Sequence, residues 1–263
     1  MPEIAEVRLT AEWVTQINAQ RTITAVEYGK FNKLKHLEPL EVVGQTLSAT
    51  SRGKELKLQL GSHSVVLTLG MTGSFRDFTE QPTQSNVAWT HSHVKFQMSD
   101  GAWFTWCDVR RFGRSQGTDW SEKRGPDLLD EPRKFKANIL TNLHHRDFQK
   151  PAHELLMNQQ WFNGIGNYLR AEILGKWNVN PFQPMVAIVS EAFLDHLISL
   201  VKQAYQLRGG PLYNWMGANV EISLANRAWE DWMQYYGQRA KMLDKQKRTF
   251  WYDKKWEHYL TKL

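Results

Sequence analysis

The chain has 263 residues, with 33 Lys and Arg against 27 Asp and Glu, a formal net charge of +6 and one cysteine, Cys107. A single thiol forms no intramolecular disulfide and supplies no cysteine-rich zinc site, which sets aside disulfide-stapled scaffolds and zinc fingers. Hydrophobic residues make up 41% of the chain, enough for a core without such staples, and no run approaches the roughly 18 apolar residues of a membrane span.

The opening Met-Pro-Glu-Ile-Ala-Glu-Val lacks the apolar stretch of a signal peptide, so a soluble intracellular chain is expected. Residues 4–17 place Ile4, Val7, Trp13, Val14 and Ile17 at helical spacing and predict a helix. Short alternating segments follow, predicting strands over 22–28, 46–50, 55–60, 64–69, 93–98 and 102–107. In 55–60, Leu56, Leu58 and Leu60 share one face while Lys57 and Gln59 take the other, the period of a half-buried antiparallel strand. This half therefore reads as a β-sandwich or barrel.

Lys123-Arg124-Gly125-Pro126, with Pro132 beyond it, interrupts the pattern and marks a linker. Helices are then predicted over 135–143, 152–158, 168–177 and 190–207, closed by Arg208-Gly209-Gly210-Pro211. A further helical stretch over 225–235 precedes a hairpin ending in Arg248-Thr249-Phe250-Trp251-Tyr252. Two lobes joined by a short linker imply a cleft. Residues 227–263 carry nine Lys and Arg against five Asp and Glu, four of the six net positive charges, interleaved with aromatic side chains. Such a segment is either a packed module with a solvated basic face or a nucleic-acid surface.

Several residues could carry chemistry. Trimming of Met1 would leave Pro2 with a free secondary amine of pKa about 7.7–8.0, neutral in useful amount near pH 7, where a lysine at about 10.4 is not. Such an amine can attack an electrophilic sugar carbon, and Glu3 and Glu6 stand beside it as acids; the plainer alternative is a proline that starts a helix. Arg52-Gly53-Lys54-Glu55-Leu56 is a glycine-bearing turn whose Lys54 is solvated unless other motifs join it. Three do: Leu69-Gly70-Met71-Thr72-Gly73-Ser74-Phe75, Asp108-Val109-Arg110-Arg111-Phe112-Gly113, and Asn163-Gly164-Ile165-Gly166-Asn167-Tyr168-Leu169-Arg170-Ala171-Glu172. In the last, two glycines precede a helix start with Asn167 at a capping position, where backbone N–H groups can meet a phosphate. His91, His93, His144 and His145 have no Cys or carboxylate at metal-ligand spacing in the sequence and suit surface or capping roles, and Cys107 suits a core position.

Together and in this order, these motifs resemble the formamidopyrimidine-DNA glycosylase and endonuclease VIII family of base-excision repair, nearly end to end. The resemblance is greatest to the endonuclease VIII-like 1 branch, whose C-terminal module is a zincless finger, matched here by Lys247-Arg248-Thr249-Phe250-Trp251-Tyr252. It implies an α+β fold: an N-terminal helix and antiparallel β-sandwich catalytic domain over 1–122, a linker over 123–134, a helix-two-turns-helix domain over 135–226 and a metal-free β-hairpin finger over 227–263. The family opening carries proline where this chain has Ala5, and the stretch between Gly209 and Asn226 is shorter than that branch's lesion-recognition loop.

The resemblance implies a bifunctional DNA glycosylase and AP lyase with Pro2, Glu3 and Lys54 as its catalytic set. Pro2 attacks C1′, Glu3 is the acid and base, and Lys54, Asn167 and Arg248 grip the phosphates flanking the lesion. Glu6 is a second carboxylate at the DNA site, and Met71, Arg110 and Phe112 fill the gap left by the extruded nucleotide. Neither a metal nor an organic cofactor is implied. The expected partner is damaged double-stranded or bubble DNA, met by a monomer away from membranes, in the nucleus of a eukaryote or the cytoplasm of a bacterium. Oxidised pyrimidines, formamidopyrimidines and hydantoins are the expected lesions. An 8-oxoguanine-preferring enzyme and a non-catalytic damaged-DNA-binding protein are the alternatives.

Overall fold

Alternating apolar and polar residues in the first half of the chain pair into two antiparallel sheets. The computed structural model describes residues 2–30, 41–210 and 228–262. α1 (Ile4–Ile17) leads into β1 (Ile23–Tyr28), β2 (Leu47–Arg52), β3 (Glu55–Leu60), β4 (His63–Thr68) and β5 (Gly73–Phe78). A short α2 (Val87–Thr90) then precedes β6 (Ser92–Met98), β7 (Trp103–Asp108) and β8 (Arg114–Gly117). One sheet runs β2-β3-β4-β8 and the other β1-β6-β7-β5. Leu56, Leu58, Val65 and Leu67 of the first and Phe75, Phe96, Phe104 and Trp106 of the second meet in one core, which Val7, Ala11 and Val14 of α1 join.

The leucine alternation of β3 is as predicted: Leu56, Leu58 and Leu60 are fully buried while Lys57 and Gln59 are half-buried. β5 and β8 were not foreseen. β8 reads Arg-Ser-Gln-Gly and has no apolar residue to signal it, so only its pairing with β4 makes it a strand. β5 begins on Gly73 inside what the sequence presents as a loop motif, and is fixed by full pairing with β7.

The second half supplies α3 (Pro132–Thr141), α4 (Ala152–Leu155), α5 (Asn167–Lys176), α6 (Glu191–Gln206) and the hairpin β9 (Ala240–Leu243) and β10 (Thr249–Tyr252). α3 starts three residues earlier than expected because Pro132 occupies the first turn, where its missing N–H costs nothing. Ser190 caps α6 by accepting the Phe193 N–H at 3.1 Å. The expected 152–158 helix closes after one turn and continues as turns into α5. Of the 225–235 helix, residues 225–227 lie outside the described residues, and 228–232 are helical. The 209–226 stretch lies almost wholly outside them too. Among the described residues no helix is long and apolar enough to cross a membrane.

By contacts the chain divides into two units. The first takes Pro2, Glu6–Ser121 and Gly210; the second takes Glu3–Ala5, Glu122–Gly209 and the described tail. The Lys123-Arg124-Gly125-Pro126 stretch is hydrogen-bonded into the second unit: the Gly125 N–H donates to Gln159 O at 3.0 Å, and Asn163 Nδ2 donates to Gly125 O at 2.9 Å. The core of this unit runs through Phe135, Ile139, Leu169, Ile173, Leu197 and Val201 and takes in Phe250 and Tyr252 of the hairpin.

α5 is the centre of that unit. Tyr168 to Leu174 are all buried, including Arg170 and Glu172. The turn before it includes Gly164 at φ 102°, where a Cβ would lie 2.6 Å from Ile4 Cβ, and the Ile4 N–H donates to Gly164 O at 3.0 Å. Glycine is required on both counts, conformation and space. Gly164→Ala should therefore lower the unfolding free energy by about 1–3 kcal/mol, seen as a fall in the thermal or urea midpoint. An unchanged midpoint would show that this contact relaxes freely.

Candidate active site

The N-terminus of α5 is capped by a carboxylate from far away in the sequence. Gly166 is the N-cap residue and has no side chain to satisfy the first N–H groups. Glu3, 1% exposed, takes that place: its two oxygens accept the N–H groups of Gly166 at 2.6 Å, Tyr168 at 2.8 Å and Leu169 at 3.3 Å. Three donors at the positive end of a helix dipole stabilise a negative charge there. The capping position expected of Asn167 is thus corrected: Asn167 is the first residue inside the helix, because Gly166 precedes it and Glu3 caps.

Freed from capping, Asn167 turns to the hairpin. Its Nδ2 donates to Thr249 O at 2.7 Å, and its Oδ1 accepts from Arg170 Nη2. Arg170 Nη1 donates to Asp244 Oδ2 at 2.9 Å and to His153 O at 3.0 Å. Asp244 also accepts the Arg248 backbone N–H at 2.9 Å and Arg248 Nε at 3.1 Å. Asn167 and Arg248 therefore share one network, centred on a buried Arg170–Asp244 pair with side chains 0% and 1% exposed. Burial pushes the Asp244 carboxyl up, but the Arg248 N–H and the two guanidinium groups outweigh it and hold it below the usual carboxylate range. Burial likewise lowers Arg170 and raises the Tyr236 phenol, the latter with help from the charge of Glu3.

The remaining expected residues lie in the first unit, with Pro2 buried next to Glu3 in the chain. Glu6, fully buried, accepts the Gly210 N–H at 2.9 Å. Lys54 sits half-buried in the two-residue turn between β2 and β3, where Gly53 takes φ 57° and Arg52 pairs with Glu55; glycine at the first central position suits such a hairpin. Met71 is 40% and Phe112 50% exposed, unusual for large apolar side chains. The Arg110 guanidinium lies 4.8 Å from the Phe112 ring centroid, a cation–π pair at the surface.

Residues 1–115 match the model of the formamidopyrimidine-DNA glycosylase N-terminal domain. Human endonuclease 8-like 1 is 30% identical over 295 residues, covering 96% of this chain and 72% of that protein. The chain belongs to the formamidopyrimidine-DNA glycosylase and endonuclease VIII family. The mouse endonuclease 8-like 1 is 36% identical over 70% of this chain and 49% of its own length. The formamidopyrimidine-DNA glycosylase of Streptococcus thermophilus is 26% identical over 92% and 90%. The fold matches the MutM (Fpg) protein of Thermus thermophilus with a TM-score of 0.74 at 20% identity, over 97% of this chain and 98% of that one. It also matches a Lactococcus lactis Fpg solved with DNA containing an abasic site, TM-score 0.73 at 18% identity, over 96% and 98%. Members of the family are base-excision-repair glycosylases, with AP lyase activity as a family trait, and the chain is an enzyme of that class.

Where other members of the family carry a zinc finger, the β9–β10 hairpin does not fit the ion. No group of three His, Cys, Asp or Glu side chains that could hold a metal occurs among the described residues. The hairpin instead packs Phe250 on His153 at 5.1 Å, Tyr252 against Phe182 at 5.2 Å and Trp251 against Tyr236 at 4.3 Å, ring centroid to centroid. Arg170, Asp244 and Tyr236 were not among the residues singled out from the sequence. The one available signal was Asp244 four residues ahead of Arg248; Arg170 and Tyr236 gave none, being part of a helix and of an aromatic run.

His153, 1% exposed, supplies a pH test of this packing. Burial holds its folded-state value below the ordinary 6.5 of a histidine, so the unfolded chain binds the proton more readily. Its contribution to stability is complete above about pH 6.5 and is lost as pH falls toward the depressed folded value. Melts from pH 8 to 5.5 should show the midpoint falling, and His153→Gln should flatten that fall; an equal slope in both would exclude His153 as its source.

Proposed function

We propose that the chain removes oxidised bases from DNA through an iminium formed by Pro2 and then cuts the strand by β,δ-elimination. The observation that carries this reading is the position of Glu3, fixed by three backbone N–H groups of α5 and joined directly to Pro2. With Met1 removed, the Pro2 nitrogen attacks C1′ as the bond from C1′ to the base breaks, and the base leaves with a proton. Glu3 serves as the acid and base for sugar-ring opening. The resulting iminium acidifies C2′. Loss of that proton expels the 3′-phosphate, and a second elimination expels the 5′-phosphate, leaving a one-nucleotide gap. Water then hydrolyses the remaining iminium, which releases the sugar fragment as an aldehyde and restores the Pro2 amine.

Reaching C1′ in a duplex requires extruding the nucleotide, at a cost of about a few kcal/mol. Met71, Arg110 and Phe112 offset it by filling the gap, which suits their exposure. Lys54, Asn167 and Arg248 hold the flanking phosphates, Lys54 completes the catalytic set, and Glu6 shapes the lesion site. In this reading residues 1–122 form the catalytic domain, 123–134 the linker, 135–226 the helix-two-turns-helix domain and 227–263 the zincless finger. The enzyme acts as a monomer wherever the cell keeps its DNA, on oxidised pyrimidines, formamidopyrimidines and hydantoins in duplex or bubble. Similarity over nearly the whole chain to the human endonuclease 8-like 1 favours these lesions over 8-oxoguanine.

Borohydride should trap a covalent complex with abasic-site DNA. An uncleaved N-terminal extension, which converts the Pro2 amine to an amide, should reduce trapping to background; persistent trapping would move the nucleophile elsewhere. In a paired assay, thymine glycol should be removed faster than 8-oxoguanine opposite cytosine, and the reverse order would overturn the lesion choice. Lys54→Ala and Arg248→Ala should each lower the slope of log affinity against log salt by about one phosphate contact, and an unchanged slope would remove that residue from the phosphate grip.

A further inference from the structure

Asp108, the last residue of β7, is fully buried, and among the described residues no cation lies within salt-bridge range of it. A buried carboxylate without a cation is costly unless its hydrogen bonds do something an apolar side chain could not. One of its oxygens accepts the Thr72 hydroxyl at 2.5 Å. The other accepts the Gly113 N–H at 2.7 Å. Thr72 follows Met71, and Gly113 follows Phe112, so the two oxygens reach two separate turns. The Thr72 hydroxyl oxygen closes the circuit by accepting the Arg110 N–H at 3.1 Å.

The backbones of the two turns are also in contact. At Gly70, φ 60°, a Cβ would lie 2.5 Å from the Phe112 carbonyl carbon and 2.6 Å from Gly113 N. The turn around Met71 is closed by the Gly73 N–H donating to Leu69 O at 2.8 Å, and the other by the Arg111 N–H donating to Asp108 O at 3.2 Å. Met71 is thus far in sequence from Arg110 and Phe112, yet all three hang from one side chain.

We infer that Asp108, acting through Thr72, is the positioning residue that makes Met71, Arg110 and Phe112 a single rigid wedge, so that all three enter the duplex together. The inference rests on the gap-filling role proposed above for those three side chains. Asp108 touches neither substrate nor reacting atoms. Its effect is confined to substrates from which a nucleotide must be extruded, and is absent where there is no stack to open.

The test compares Asp108→Asn, Thr72→Val and Thr72→Ser on two substrates. On a thymine glycol duplex, Asp108→Asn and Thr72→Val should lower the rate of base removal by about tenfold or more, the size expected for loss of a hydrogen bond to a charged group. On a single-stranded abasic oligonucleotide, lyase activity and borohydride trapping should stay within about twofold of wild type. Thr72→Ser, which keeps the hydroxyl, should restore duplex activity. An equal loss on both substrates, or no loss on the duplex, would overturn the inference, and if Asp108→Asn does not fold, the two Thr72 variants decide alone. A further arm needs no chemistry: 2-aminopurine beside a non-cleavable abasic analogue should change fluorescence on binding wild type and much less with Thr72→Val. Wild type that changes the fluorescence but neither cleaves nor traps would refute the proposed reaction and leave the wedge standing; an equal change with Thr72→Val would refute the wedge.

Discussion

The second unit depends on the contact between the Glu3 carboxylate and the first N–H groups of α5. A helix begins with donors that have no partner inside it, and a buried start must find them elsewhere. Gly166 gives the turn the room it needs but no acceptor, so the satisfaction of α5 is delegated to a residue more than 160 positions away in sequence. Gly164, pressed against Ile4, brings the two segments close enough for that delegation. The same carboxylate that completes the helix stands next to Pro2. If Glu3 also serves the reaction proposed above, stability and chemistry draw on one group.

Around α5, buried carboxylates organise irregular backbone. Glu172 accepts the N–H groups of Gln234, Tyr235 and Tyr236 at 2.8 to 3.0 Å. Asp244 does the same for Gln246 and Arg248 in the hairpin turn. The β9–β10 hairpin is held against α5 and its neighbours by the Arg170–Asp244 pair and by stacked aromatic rings. The arrangement keeps Asn167 and Arg248 in one network whose centre is shielded from solvent, where charge pairs act strongly and are screened little by salt.

Much of the fold was legible from the sequence where burial and periodicity coincide. β3 is one such element, and α6, with its Ser190 cap and apolar stripe, is another. α5 was legible from the helical texture of 168–177 and from its flanking glycines, although Arg170 and Glu172 are charged residues on buried faces and blur the helical period. β8 could not be seen because pairing alone, not side-chain burial, makes it a strand. For the site, the individual motifs were visible, and their resemblance to a family named the residues. What joins them was not: Thr72 to Asp108 spans 36 positions and Arg170 to Asp244 spans 74. A hydrogen bond between distant residues leaves no local trace in either segment.

The long span from Glu3 to α5 also orders events in time. A chain made at about 5–20 residues per second exposes its N-terminal helix well before residues 166–169 exist. Roughly ten to thirty seconds of synthesis separate them. During that interval the first unit can pair its sheets, while the carboxylate beside Pro2 has no amides to receive it. Capping of α5 is then a high-contact-order step, slow to find and late to form. The β-sandwich can therefore form first and the Glu3 cap last, and a product cut short before α5 would leave the Glu3 carboxylate without its amides.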